Sequence, residues 1–314
     1  MARYRPGWIT QVALALLMSS LSRGACAADD ENVFDTTRRS VRSTTEWLAN
    51  GVDGLFGDRP FADGGSVTDG ELNPRFLFRQ FEKPEFGLRF DARVRLPNIE
   101  DHTYLFLGRD DPRAVITDSP GALTRAQQLL RDDAVDHAFF AGLGVRLLSD
   151  AAQLRVGLRN GWKPWVQARF VQGWQVAPSD GIDFRETVFW THDDRFGSTT
   201  VLSWTHALSP RLAARAIAAA TITQHVPVFA RSSGLGLFQE FGEQRLLSLE
   251  ALYSSTQPSG IAIPSYGAQA KWAQPVRGDW LIGECIVGHF WSPKEPAVNH
   301  RTAWALGLGL TMRF

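Results

Sequence analysis

From Asn73 to the end of the chain, apolar and polar side chains alternate with a period of two. In residues 86–95 every even position is apolar, and every odd position is Gly87 or a charged residue. Residues 154–159 and 266–273 show the same alternation. Because successive side chains of a β-strand point to opposite faces, this pattern predicts half-buried strands. The segments recur to the C-terminus, so the pattern predicts an all-β region.

The spacing of these segments predicts an antiparallel up-and-down β-barrel of about fourteen strands, with twelve as the alternative. The predicted strands lie near 74–82, 85–96, 102–109, 136–148, 151–160, 164–177, 181–192, 196–208, 210–224, 229–241, 243–255, 263–274, 278–291 and 300–314. Short connections alternate with longer ones, which include 109–136, 256–262 and 292–299. An even number of strands with this alternation is typical of transmembrane barrels. A soluble periplasmic β-sandwich is the competing interpretation of this pattern. After Asn73, a helix is expected only within residues 119–132.

Residues 28–72 follow a different pattern. Apolar residues fall at roughly helical spacing from about 33 to 56, with Thr36 or Ser40 as possible caps and Gly57 as a possible stop. The Gly- and Asp-rich stretch 57–70 reads as a linker. We therefore predict a periplasmic N-terminal segment, with a short amphipathic helix, ahead of a barrel over 73–314. The helix is either a plug or periplasmic contact element, or a segment that packs weakly on the barrel rim.

The first 27 residues have the features of a signal peptide. Two arginines precede a short apolar stretch, and Ala25 and Ala27 supply the small-residue cleavage pattern. A lipoprotein signal at Cys26 is the alternative, although Arg23 stands where an apolar residue is preferred. An N-terminal anchor helix is less consistent with the polar residues that follow. The pattern predicts export from the cytoplasm.

Composition narrows the function classes. The chain has 33 basic and 33 acidic residues. Because its formal net charge is zero, the charge gives no reason to expect nucleic-acid binding. It has 2 cysteines, of which Cys285 alone follows the predicted cleavage site, so neither a disulfide scaffold nor a multi-cysteine zinc site is expected. No phosphate-binding loop, zinc-protease motif or dinucleotide motif is present. We expect no cofactor, no metal and no nucleic-acid partner.

The last strand carries a resemblance to a known class. The chain ends Leu308-Gly309-Leu310-Thr311-Met312-Arg313-Phe314, with apolar residues at even positions. This ending resembles the C-terminal strand of Gram-negative outer-membrane β-barrels, in which an aromatic last residue is preceded by an apolar residue and a glycine. Here Phe314, Met312 and Gly309 match that assembly signal. The resemblance implies location in the cell outer membrane and contact with the barrel-assembly machinery through the last strand. It also implies outer-membrane lipid and lipopolysaccharide as partners.

The region around Phe189-Trp190 and 196–200 is similar to a group of exported, porin-like barrels without an assigned activity. Alternation predicts that the interior face carries many charges, chiefly arginines. The candidates that line the lumen are Arg89, Asp91, Arg93, Arg95, Arg155, Arg159, Arg169, Arg185, Glu250 and Lys271. Arginine holds its charge and makes bidentate bonds to carboxylates. The interior is therefore either a partly positive pore wall or an internal arginine–carboxylate brace.

Glu186 and Glu284 share parity with apolar neighbours, which predicts a bulge or a position near a rim for each.

Three functions are compatible with the features of the sequence. The first is a porin-like channel for small polar or anionic solutes. The second is a non-conducting barrel that maintains the envelope and contacts a periplasmic partner through residues 33–56.

The third function is a lipid-modifying enzyme, for which His192 beside Asp193, Asp194 and Ser198 is the candidate constellation. It lacks the sequence pattern that outer-membrane phospholipases carry around their catalytic histidine and serine. Three adjacent loop residues also do not define a metal site. We therefore expect no enzymatic activity.

Overall fold

The computed structural model describes residues 30–53, 61–80, 83–98, 102–110, 112–118, 138–148, 151–160, 162–225, 229–242, 244–256, 263–291 and 302–314. The predicted signal peptide, with Ala25 and Ala27, lies outside these residues, as does the predicted helical stretch 119–132. Among the described residues, no helix combines the length and the apolar character needed to cross a bilayer.

The described residues form two helices and fourteen strands. The helices are α1 (Asp30–Asp53) and α2 (Pro112–Thr117). The strands are β1 (Ser66–Arg79), β2 (Glu85–Arg95), β3 (Thr103–Asp110), β4 (Ala138–Leu147), β5 (Ala152–Arg159), β6 (Lys163–Ala177), β7 (Asp180–Thr191), β8 (Arg195–Ser209), β9 (Leu212–Thr223), β10 (Ala230–Glu240), β11 (Leu246–Thr256), β12 (Ile263–Arg277), β13 (Leu281–Trp291) and β14 (Thr302–Arg313). The strand number and the N-terminal helix confirm the prediction.

The fourteen strands close into one antiparallel barrel. Each strand pairs with its neighbours in sequence, and β1 pairs with β14 to complete the ring. The closing pairs run from Glu71 opposite Arg313 to Arg79 opposite Ala305. Closure matters because it leaves no strand edge whose backbone groups lack a partner.

The barrel has two unlike ends. The terminal rim is the end at which β1 begins and β14 ends, and several of its turns are short, such as 178–179 and 210–211. The loop rim is the opposite end, and it carries the longer connections 111–137, 257–262 and 292–301. This asymmetry agrees with the pattern of short and long connections in the sequence.

The first strand begins earlier than predicted. β1 starts at Ser66, within the expected linker and seven residues before Asn73. A β-bulge between Val67 and Asp69 interrupts its register with β2. The bulge breaks the period of two, and so hides the start of the strand from a pattern search.

Burial shows which side chains face the barrel interior. Along β5, Arg155, Gly157 and Arg159 are buried, whereas the leucines and valine between them are exposed. Directly opposed residues on paired strands share a face of the sheet. The pairing of β5 with its neighbours therefore assigns inward and outward positions on the other strands. Arg155 lies opposite Gly144, Gly144 opposite Tyr104, and Tyr104 opposite Arg95. The odd positions of β2 therefore face inward, and its even positions face outward.

Helix α1 lies along the terminal rim and against the outer face of the barrel. Ala49 is fully buried in a cluster with outward-facing Val94 and Leu105 and with Phe314. Arg38 donates from Nε to the carbonyl of Arg313 at 2.9 Å. Trp47, on the opposite side of the helix, is 72% exposed. The helix thus packs on the rim and does not have the position of a plug.

Both ends of α1 are attached to turns. Asp35 forms an ion pair of 2.7 Å with Arg277, next to the β12–β13 turn. Near the other end, Asn98 donates from Nδ2 to Asp53 at 2.7 Å, just after β2. The helix therefore bridges two turns that are several strands apart.

Candidate functional site in the barrel interior

The charged residues singled out in the sequence occupy interior positions. By register with β5, this holds on β2, β6, β7, β11 and β12. The ten side chains are Arg89, Asp91, Arg93, Arg95, Arg155, Arg159, Arg169, Arg185, Glu250 and Lys271. They do not form one cluster but are distributed over several contacts, each with its own partner.

The centre of the site is the carboxylate of Asp118, which follows helix α2. Its Oδ2 lies 3.0 Å from Nε of Arg169 and 3.2 Å from Nε of Arg185. Thr187 donates to the same oxygen at 3.3 Å, and Arg185 donates from Nη2 to the Asp118 carbonyl at 2.8 Å. We call Arg169, Arg185 and Thr187 the arginine clamp. Asp118 comes from the β3–β4 connection, so this part of the connection folds into the barrel.

An aromatic cluster receives the same segment. Ile116 is 2% exposed and packs among rings from strands β3, β4, β6 and β7. These rings, which we call the ring cluster, are Tyr104, Phe106, Phe140, Trp165 and Phe189. Gln167 donates from Nε2 to the Ile116 carbonyl at 2.7 Å. The segment 112–118 is therefore held by wall side chains on both its apolar and its polar side.

Positive charge exceeds negative charge around the clamp. The charged groups that act most strongly on Arg169 are Asp118, Arg185, Arg155 and Arg93. Four guanidinium groups thus share a neighbourhood with two carboxylates, because Asp91 also lies within electrostatic reach of Arg93 and Arg155. Arg155 has further polar partners, since it donates from Nε to the Tyr104 hydroxyl at 3.0 Å. The interior near β5–β7 is consequently electropositive.

A second charged group lies at the loop rim. Arg159 and Lys163 each lie 3.0 Å from Oδ2 of Asp193, in the β7–β8 turn. Asp194 is 4.0 Å from Arg159. Asp193 and Asp194, the two acids that follow His192, are therefore paired with cations of β5 and β6. Neither acid serves His192 alone.

The third charged group is on the opposite wall. Glu284 lies 3.1 Å from Nζ of Lys271 and 3.7 Å from Nη2 of Arg75. Glu250 accepts a hydrogen bond of 2.6 Å from Gln269. Glu284 faces inward and lies opposite Ala273 of β12, and a β-bulge between Pro275 and Arg277 lies close by, near the terminal rim. Its shared parity with apolar neighbours has a further cause, because Ile286 and Phe290 also point inward.

For Glu186 the expectation of a bulge or rim position was wrong. It lies in the middle of β7, in regular register with β8, and its parity puts it on the outer face. Thr200 donates to its Oε2 at 2.6 Å, and the Ser198 hydroxyl donates to its Oε1. Ser198 is thus bonded to an outer-face carboxylate, which gives no support to a catalytic pairing with His192.

The wall from β8 to β14 carries apolar clusters on both sides, beside the charged group of Lys271 and Glu284. Inside, Val201, Ile217, Leu252, Ile286 and Phe290 form a buried cluster. Outside, the same strands border a groove of about 710 Å³, with alanines on its floor and Trp204 and Trp304 at its ends. The wall is therefore concave toward the exterior, and the interior beside it is narrowed by packed side chains.

The residues of the C-terminal pattern have distinct surroundings. Met312 and Phe314 are buried, and the Phe314 ring stacks on Phe90 with centroids 6.0 Å apart. A Cβ on Gly309 would face Glu284 and Arg75 at 3.7 and 3.8 Å, so Gly309 lies on the interior side. Their role as an assembly signal stays a prediction.

Asp118 and Ile116 were missed at the level of sequence. The clamp arginines were found from strand parity, but their partner lies 51 residues before Arg169 in a long connection without periodicity. The length of that connection was the only available signal. In the described part of the chain, no three His, Cys, Asp or Glu side chains are grouped in a way that could hold a metal ion.

Comparison with known proteins gives a fold likeness. No protein-family model matches the sequence, and no curated protein sequence matches it. Among solved structures, OmpT of Vibrio cholerae is 10% identical, with 80% of this chain and 98% of that chain covered and a TM-score of 0.47. OpdK of Pseudomonas aeruginosa with vanillate is 10% identical, with 78% and 97% covered and a TM-score of 0.43. The KdgM porin with oligogalacturonate is 7% identical, with 78% and 99% covered and a TM-score of 0.38. At such values the likeness describes shape, and nothing about solutes follows from it.

Proposed function

We propose that this chain is an outer-membrane β-barrel that conducts small anionic solutes through its interior. The observation that carries the proposal is the arginine clamp, in which interior guanidinium groups outnumber the carboxylate that a folded-in segment presents to them. A conduit with this charge balance attracts anions and disfavours cations.

The outer face supports placement in a membrane. Large apolar side chains are exposed at outward positions of most strands, for example Phe86, Val156, Leu202, Leu235 and Leu249. A water-soluble surface seldom carries so many exposed apolar side chains, whereas the lipid-facing band of a barrel requires them. A closed ring also leaves no unpaired strand edge toward lipid.

The interior of the terminal half supports a water path. Arg93 and Arg95 on β2 are exposed although they face inward, and so are Asp183 and Gln175 on the other side of the ring. Solvent therefore reaches these side chains from the terminal rim. Toward the loop rim, segment 112–118 and the two apolar clusters narrow the interior, so we place the constriction there.

A filled, non-conducting barrel is the second candidate. It is favoured by the packed cluster around Ile217 and Ile286 and by the ring cluster, which together occupy much of the interior on both walls. In that case the charged groups brace the barrel and solutes do not pass.

The deciding experiment is a planar-bilayer recording of the full chain, purified from the membranes of cells that express it. We expect discrete conductance steps and, under a KCl gradient, a reversal potential of anion-selective sign. Arg93→Glu should shift that potential toward cation selectivity, because Arg93 faces the interior. Arg231→Glu is the matched control, since Arg231 lies on the outer face of β10.

An unchanged reversal potential in Arg93→Glu would contradict the pore-wall assignment. Silence from protein whose folding is shown by heat-modifiable gel mobility would favour the filled barrel. Recovery of the protein in the outer-membrane fraction of a density gradient tests the location separately.

A further inference from the structure

Segment 112–118 brings two unlike groups into the barrel wall within three residues. Ile116 fills the ring cluster, and Asp118 places its carboxylate in the arginine clamp. The segment thus has the chemistry of a small molecule with an apolar body and one carboxylate. The wall residues that receive it all belong to strands, whereas the segment itself belongs to a connection.

We propose that the ring cluster and the arginine clamp together form a solute-binding site for apolar or aromatic monocarboxylates, and that Ile116 and Asp118 occupy it as a tethered substitute. The proposal deepens and rests on the proposed function, because it names the class of anion that the interior selects. The solute enters as the segment leaves, so that one carboxylate replaces another.

The clamp is suited to a free carboxylate. Guanidinium groups present donors in a fixed fork that matches carboxylate oxygens, and Thr187 adds a hydroxyl donor. If Asp118 left without a replacement, two largely enclosed cations would lose their counter-charge, and the nearby Arg155 and Arg93 would add to the repulsion. Exchange with a solute anion avoids that cost. Neutral molecules cannot provide it.

The ring cluster defines the rest of the ligand. Once Ile116 is withdrawn, its place is bordered by aromatic side chains of the ring cluster. Trp165 and Phe189 are almost fully buried and lie on β6 and β7, the two strands that also carry the clamp residues. Aromatic rings favour an aromatic or aliphatic body by stacking and area burial. Acetate, which has the charge but no such body, should bind much more weakly.

The segment is held in a way that permits exchange. Its polar anchors are side chains of the wall, namely Gln167 to the Ile116 carbonyl and Arg185 to the Asp118 carbonyl. Asp118 has a φ of +53°, in the left-handed region that non-glycine residues adopt at a cost. That conformation is maintained by the clamp contacts. Asparagine tolerates this region well, so Asp118→Asn removes the charge without a new backbone conflict.

The test is binding of benzoate, benzamide and acetate to the detergent-solubilised full chain by isothermal titration calorimetry. We expect benzoate to bind, acetate to bind at least about tenfold more weakly and benzamide not to bind. Asp118→Asn should lower the Kd for benzoate about tenfold, equivalent to about 1.4 kcal/mol, because it raises the fraction of barrels with a vacant clamp. Asp193→Asn, which removes a carboxylate from the loop-rim ion pairs, is the matched control and should leave the Kd unchanged.

A second variant guards against misfolding of the first. Ile116→Ala should tighten benzoate binding, because loss of the Ile116 contacts weakens the seat of the segment and raises the fraction of barrels with a vacant site. Equal binding of benzoate and benzamide, or unchanged benzoate affinity in both variants, would overturn the site. The readout does not depend on conduction. A barrel that is silent in bilayers yet binds benzoate would contradict the proposed conduction and support the binding site. A barrel that conducts but does not distinguish benzoate from benzamide would support conduction and contradict the binding site.

Discussion

Thr200 donates from Oγ1 to Oε2 of Glu186 over 2.6 Å, on the outer face of the barrel and near the middle of β7. Ser198 supplies the second hydroxyl, so both carboxylate oxygens have a donor from β8. Two hydroxyl donors reduce the cost of a carboxylate on this face but do not neutralise it. The neighbouring outward positions on β6 and β8 include Phe170 and Leu202, so the acid stands in an apolar setting.

We expect Glu186→Gln to stabilise the barrel by about 1 kcal/mol at neutral pH, since acidic side chains on a lipid-facing surface carry a moderate penalty. Glutamine keeps a carbonyl acceptor for one hydroxyl and removes the charge. The measurement is the free energy of unfolding in urea, in lipid vesicles. Glu240→Gln, at an exposed position near the terminal rim, serves as the control and should have little effect. A loss of stability in Glu186→Gln would show that the hydroxyl contacts outweigh the charge penalty.

The ion pairs at the loop rim predict a pH dependence. The hydrogen bond from Lys163, with the charges of Lys163 and Arg159, holds the pKa of Asp193 below its ordinary value. A carboxyl whose pKa is lower in the folded chain contributes stability above its unfolded pKa of about 3.9, and this contribution is lost as pH falls through the folded pKa. The solvent-screened pair should contribute about 0.5 kcal/mol.

Lys163→Gln should therefore lower the thermal midpoint slightly at pH 7, and the difference from the unmodified chain should vanish toward pH 2. Scanning calorimetry across that range provides the measurement. A difference that persists at the lowest pH would assign the effect of Lys163 to packing of its side chain and not to Asp193.

The attachment of α1 can be tested by overpacking. Ala49 is fully buried between the helix and the barrel, so Ala49→Phe should displace the helix at a cost of about 1–3 kcal/mol. Trypsin cleavage after Arg42 should then accelerate by about tenfold, the factor that 1.4 kcal/mol represents. Asn50→Phe, one residue along on an exposed position, should leave the cleavage rate unchanged. Equal acceleration in both variants would mean that Ala49 does not anchor the helix.

Gly70 is needed for the seat of the last residue. A Cβ on Gly70 would come within 2.5–2.8 Å of the Phe314 ring, and the Phe314 amide donates to the Gly70 carbonyl at 3.0 Å. Gly70→Ala should push the ring away from β1 and lower the free energy of unfolding by about 1–3 kcal/mol. The temperature at which the folded gel band disappears measures this. Gly51→Ala, where the added Cβ meets nothing within 4 Å, is the control.

Sequence alone predicted most of the fold, because a barrel strand must alternate between two environments along its whole length. The pattern failed where that rule has exceptions. The bulge after Val67 shifted the phase of β1, and inward-facing Ile286 and Phe290 made Glu284 look misplaced. At Val67 the backbone changes register, whereas near Glu284 the apolar neighbours belong to a cluster that fills part of the interior.

Only the arginines of the candidate site could be predicted from the sequence. Parity identified Arg169 and Arg185, because their strands are regular. Asp118 depends on how a connection folds back, and no periodicity encodes that. The contact forms only in the folded chain, where β6, β7 and the residue after α2 come together.

The position of α1 has a mechanical consequence for the ring. A helix of 24 residues is about 36 Å long and stiff along its axis. Its contacts with Arg277 and Asn98 fix the separation of two turns on the same circumference. Any breathing of the barrel that widens or flattens this arc must stretch one of these contacts or bend the helix. Helix α1 thus stiffens one arc of the terminal rim. Elastic deformation of the barrel cross-section is therefore concentrated in the strands that α1 does not span.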